Sequence, residues 1–173
     1  ARIHRIVKHY PERVSSLVLS NPVDPGLRSL EHIEQKRFNH PDAEARLELE
    51  DMGTPVEELH NLRSKVASYF ADAEQGWKYA AGFTREDSNS ALNVRVWSDY
   101  RDTPITDADV RQLADKISGA IYCRGDVLQP ESLNAYRRLL SADKHHVLTG
   151  CGHFPWEEDP QAYYRVLFRL LGG

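Results

Sequence analysis

Cysteine is scarce in this 173-residue chain, with two in all, and methionine scarcer still, with one. Two cysteines make no disulfide framework of the kind that staples small secreted domains, so both are expected as thiols, although Cys123 and Cys151 fall near the same loops. No stretch approaches the ~18 apolar residues that cross a bilayer, and no leader pattern is expected at the first residues. Neither Cys-x-x-Cys nor His-x-x-x-His occurs, the spacings that present paired ligands to a metal. A site built from Cys151, His153, His145 and His146 would need adjacent strand histidines on one face, which the two-residue period opposes. No metal and no cofactor are therefore expected. Basic residues are the minority, 22 against 26 acidic, which argues against a nucleic-acid partner. With 40% hydrophobic residues and a length suited to one domain, the composition reads as a cytoplasmic globular protein with a modest core and no membrane partner.

Chemistry is concentrated in Gly150-Cys151-Gly152-His153-Phe154-Pro155-Trp156, with Glu158 and Pro160 behind it. The segment follows a β-like run, His146-Val147-Leu148-Thr149, and precedes a strongly periodic helix. Glycines let the backbone turn sharply where a strand ends, so His153 is placed to reach into a cleft. Its imidazole exchanges a proton near neutral pH. A loop histidine that only hydrogen-bonds the backbone fits the local pattern equally well.

Upstream, Ala120-Ile121-Tyr122-Cys123 reads as a strand, and Arg124-Gly125-Asp126-Val127-Leu128-Gln129-Pro130 follows it into a helix. Asp126 alone fits a turn or helix-cap residue. One helix and one strand fit between Asp126 and His153, however, which in a parallel sheet makes the two strands neighbours with both loops at one edge. The carboxylate could then orient the imidazole and stabilise its charged form.

Strand, Asp, Pro, helix, strand, Gly-x-Gly-His and a Pro-initiated helix resemble the closing section of the α/β-hydrolase fold. The run from Gly152 to Pro160 is most similar to the proline iminopeptidase branch. The early residues fit as well: a helix over 1–10 and then Ser16-Leu17-Val18-Leu19-Ser20-Asn21-Pro22 resemble the helix and strand just past the nucleophile elbow in these enzymes. The resemblance covers about 1–22 and 119–171. Cys123 departs from it, standing three residues before the acid where relatives usually carry Gly.

The fold class so implied is α/β: the C-terminal part of an α/β-hydrolase, with mostly parallel strands flanked by helices and a helical lid insertion. Residues 1–25 would be a core segment, 26–103 the lid, and 104–173 the core segment bearing the acid and histidine loops. Within 26–103, helices are expected around Leu30, Ile33 and Phe38, over 41–52, and from Thr54-Pro55 onward with Leu59, Leu62, Val66, Tyr69 and Phe70 as the apolar face. Residues 107–117 also look helical. Between 28 and 102 there are 15 acidic and 10 basic residues. Lid carboxylates in proline iminopeptidases capture the substrate's α-ammonium group, and this excess is compatible with that role, though most such acids solvate helix faces. Trp97 and Phe154 are candidate substrate-binding residues; core packing is the alternative for Trp97.

The resemblance implies serine acyl transfer on a small peptide, amide or ester. Asp126 and His153 would be two members of a Ser-Asp-His triad. The nucleophile of this fold sits in Gly-x-Ser-x-Gly, and that motif is absent from the sequence. The expected partner is thus an N-terminal portion carrying the elbow, cleaved or separate, without which this chain is expected to be inactive. An uncapped first helix with Arg2 in its opening turn agrees with a chain that starts inside a helix. The alternatives are an esterase or an epoxide-hydrolase-like member of the fold, or a non-catalytic hydrolase-like binding fragment.

Overall fold

The computed structural model describes residues 9–26, 29, 33 and 55–172. The expected helices over 1–10 and 41–52 and around Leu30 and Phe38 lie essentially outside those residues, as does the Thr54 cap.

The chain is mixed α/β. Strand β1 (Leu17–Ser20) pairs parallel to β2 (Ile117–Cys123), which pairs parallel to β3 (His145–Leu148), giving the order β1-β2-β3. The central strand is apolar along most of its length, and Ile117, Ala120, Ile121, Tyr122 and Cys123 are fully buried. That is the pattern of a parallel strand covered on both faces. Pairing of Leu17 with Ile117 starts β2 three residues earlier than the expected Ala120. The helix expected over 107–117 ends correspondingly sooner. It is α4 (Asp107–Gln112), opened by a reciprocal capping box in which the Thr106 hydroxyl accepts the Asp109 N–H and the Asp109 carboxylate accepts the Thr106 N–H.

Between β1 and β2 run α1 (Pro55–Ala67), α2 (Ala73–Ala80) and α3 (Ser90–Asp102). Helices α1 and α2 pack through Val66, Ala67 and Ala80, joined by Phe70 from the turn between them. Gly76 permits the close approach: a Cβ there would stand 2.6 Å from the Ala67 carbonyl oxygen. Side-chain caps at Asp72 and Asn89 start α2 and α3 by accepting the N–H groups of Gln75 and Leu92. The main core gathers Leu19, Tyr100, Val110, Ile117, Tyr122 and Tyr136 over the sheet. Burial of each of the aliphatic side chains among them contributes roughly 1.5–3 kcal/mol.

After β2, α5 (Glu131–Arg137) returns the chain to the start of β3. Then come α6 (Pro155–Glu158) and α7 (Pro160–Leu170), the latter capped by Asp159, whose carboxylate accepts the Ala162 N–H at 3.1 Å. Among the described residues no helix is long and apolar enough to cross a membrane.

The cysteines differ from expectation. Cys123 and Cys151 are not thiols but form a disulfide, with Cα atoms 5.3 Å apart. Parallel pairing of β2 with β3 brings the two strand ends together, and the nearness that the shared loops suggested becomes a covalent bond.

Candidate active site

Two loops leave the same edge of the sheet. Backbone bonds bind them to one another beyond the strands: Arg124 N–H donates to Leu148 O at 2.8 Å and Gly125 N–H to Cys151 O at 3.0 Å. The disulfide crosses the same gap. Asp126 sits on the first loop, its carboxylate fully buried, and the Leu128 N–H donates to its Oδ1 at 3.0 Å. His153 sits on the second, with its side chain 28% exposed.

The structure brings this pair together. Nδ1 of His153 lies 3.1 Å from Oδ1 and 3.1 Å from Oδ2 of Asp126. An ionised carboxylate only accepts, so Nδ1–H is the donor and Nε2 is the basic nitrogen. Nε2 takes no hydrogen bond among the described residues. A partly exposed ring with its far nitrogen open and its near one held by a buried acid can accept a proton and keep its orientation afterwards.

The histidine loop is held on several sides. His153 N–H donates to the Tyr69 carbonyl at 2.7 Å, and the Tyr69 ring stands 5.1 Å from the imidazole. Glu158 accepts the Gly152 N–H with one oxygen and the Ala71 N–H with the other, each at 2.7 Å. Burial pushes the Glu158 carboxyl above its ordinary range, and the Asp126 charge adds to this against the lowering effect of the backbone donors. Gly152 has no room for a side chain: a Cβ would stand 2.4 Å from the Tyr69 oxygen and 2.7 Å from the Ala71 nitrogen.

Phe154 and Trp97, the two aromatics proposed for substrate, lie in different clusters. Phe154 is half-buried beside the site, 5.6 Å from the His153 ring and 5.3 Å from Phe70. Trp97 instead packs against Tyr100 at 6.1 Å over the main core, because α3 turns that face toward the sheet. It fits the packing alternative. A groove of about 980 Å³ between α1, the turn at Arg85–Asp87 and α3 is lined by Glu58, Leu62, Arg85 and Val94 among others, and by none of the four candidate residues.

The sequence marks Glu158 as lying beside the histidine loop, but it assigns no site role to Glu158, Asn21 or Tyr69, which all shape the site. Tyr69 reads as one more apolar position of the helix begun at Pro55, but that helix ends at Ala67 and leaves Tyr69 and Phe70 in the turn beyond it; the Tyr69 carbonyl carries no sequence signal. Asn21 has a weak one, a turn-forming Asn between a strand and Pro22. Among the described residues, no group of three or more His, Cys, Asp or Glu is gathered as a metal would require. Cys151 is in any case engaged with Cys123.

No family model matches the sequence, and no curated protein does either. Fold and site therefore define a class and no more: a mixed α/β chain with a three-stranded parallel sheet and a buried Asp–His pair at the ends of adjacent strands.

Proposed function

We propose that Asp126 and His153 are the acid and base of an acyl-transfer hydrolase resembling the proline iminopeptidase branch of the α/β-hydrolases. The observation that carries this reading is the paired 3.1 Å contact of His153 Nδ1 with both oxygens of a fully buried Asp126. In this reading Nε2 takes the proton of a serine, returns it to the leaving group, and Asp126 holds the ring and its transient charge. Because the chain has no Gly-x-Ser-x-Gly, the serine and its oxyanion hole come from another segment, a cleaved or separate N-terminal portion. Helices α1 to α3 serve as the lid, and Phe154 walls the acyl pocket. The substrate is a small peptide, amide or ester with a free α-ammonium group, which lid carboxylates attract. A cytoplasmic setting would make the Cys123–Cys151 bond an exception, since disulfides persist mainly in oxidising compartments.

The test is hydrolysis of aminoacyl anilides and esters by the protein together with the elbow-bearing portion recovered with it. His153→Ala is expected to lower the rate on the order of 10³-fold or more. Undiminished turnover by His153→Ala would overturn the assignment. Recovery of no serine labelled by a phosphonate probe, in the chain or its companions, would favour the non-catalytic binding fragment.

A further inference from the structure

Asn21 occupies the first position after β1 and turns the chain out of the sheet. Its φ is +39°, in the left-handed region where Asn is among the few side chains tolerated. The residue is buried, only 5% exposed. Its own N–H extends the β1–β2 ladder by donating to Ile121 O at 2.9 Å. The next acceptor that β2 would need has turned away with the backbone, and the side chain replaces it: Asn21 Oδ1 accepts the Cys123 N–H at 2.9 Å. The other half of the same amide reaches the histidine loop. Nδ2 donates to Gly152 O at 3.2 Å and to His153 O at 3.2 Å.

We infer that Asn21 is a positioning residue for the acid–base pair, acting as a clamp that sets the His153 loop against the end of the strand leading to Asp126. The inference rests on the acid–base reading of Asp126 and His153. Both ends of the His153 backbone are then fixed, the N–H by the Tyr69 carbonyl and the C=O by the Asn21 amide. With the backbone fixed, the ring has little freedom except rotation about its own bonds, and the Asp126 carboxylate takes that up. The amide suits the task because it presents donors to two carbonyls and an acceptor to an N–H at once. Aspartate, of the same shape, would turn a carboxylate oxygen toward two carbonyl oxygens.

The test follows the His153 Nδ1–H proton by NMR in the full ¹⁵N-labelled chain, a signal that needs no substrate and no nucleophile. Asn21→Gly accepts the backbone conformation without a side chain, and Asn21→Asp keeps shape while losing the donors. Both are expected to lose the low-field Nδ1–H signal or to exchange it with water roughly tenfold faster or more. Folded variants of reduced stability that keep wild-type exchange at this proton would show Asn21 to be structural only and overturn the clamp. No Nδ1–H signal in the wild type at any pH would overturn the acid–base reading and the clamp with it. Should neither variant fold, the wild type decides. On warming, the Asn21 amide protons and the His153 Nδ1–H must lose protection in one step below global unfolding, and loss in separate steps would overturn the clamp.

Discussion

The Glu158 carboxylate holds the Gly152 N–H at 2.7 Å, one residue before His153, while its second oxygen holds the Ala71 N–H at the same distance. One side chain thus ties the histidine loop to the turn after α1. Its carboxyl is raised chiefly by burial, so the folded state binds this proton more tightly than the unfolded chain does. The resulting stability is present below the ordinary carboxyl value of 4.5 and is lost as pH rises through the higher folded value. Relative to Glu158→Gln, the wild-type denaturant midpoint is expected to fall as pH rises above 4.5. A parallel pH course for the two proteins would contradict this.

Histidines 145 and 146 run the other way. Burial is the leading cause holding both below the ordinary 6.5, and the Arg169 charge also acts on His146. The unfolded chain therefore takes up protons first, so the stability present above 6.5 is lost as pH falls through the folded values. His146→Gln should flatten this loss in equilibrium unfolding measured from about pH 7 down to about pH 5.

Asp126→Asn tests the tautomer logic at the site. An amide nitrogen facing Nδ1 favours the proton on Nε2, where a base must be open. Under the proposed hydrolase reading, in an assay that includes the elbow-bearing portion, kcat is expected to fall on the order of 10⁴-fold with the substrate's KM little changed. A fall confined to KM would mean that Asp126 shapes binding instead.

The Cys123–Cys151 bond closes a loop across a sequence separation of 28. Its removal by the double change Cys123→Ser and Cys151→Ser is expected to cost about 3 kcal/mol. Thermal unfolding with and without reductant checks this, since reductant should lower the wild-type midpoint by several degrees and leave the double variant unmoved.

Two glycines give a graded pair. At Gly152 an added methyl meets backbone, the Tyr69 oxygen at 2.4 Å, whereas at Gly119 it meets the mobile end of Leu170 at 2.7 Å. Gly152→Ala should cost about 3 kcal/mol or more and Gly119→Ala clearly less, near 1 kcal/mol. Urea titrations reversing that order would show that the Tyr69–Ala71 turn yields easily.

Legibility in the sequence was local. The strand ending at Cys123, the strand at His146 and the helix begun by Pro160 each carry their own pattern of apolar residues and caps. Adjacency of the acid and histidine loops was also readable, because a strand-helix-strand length leaves few arrangements open in a parallel sheet. The disulfide was not, since nearness of two strand ends does not say whether two thiols there are oxidised to a bond. Trp97 shows a further limit: an aromatic in a helix declares that it will be covered, not by which neighbours. The clamp at Asn21 was hidden for a related reason. Its partners are the carbonyls of Gly152 and His153, and a carbonyl is the same at every residue.

Helix α5 carries the chain from the acid loop back along the sheet, and β3 then climbs to the histidine loop beside it. The turn at Ala142–Lys144, exposed at Ala142 and Asp143, lies at the far end of β3 from both. Residues added at Ala142 or Asp143 would lie far from the Asp126–His153 contact, so the two loops form one unit joined by a connection whose length is free to change.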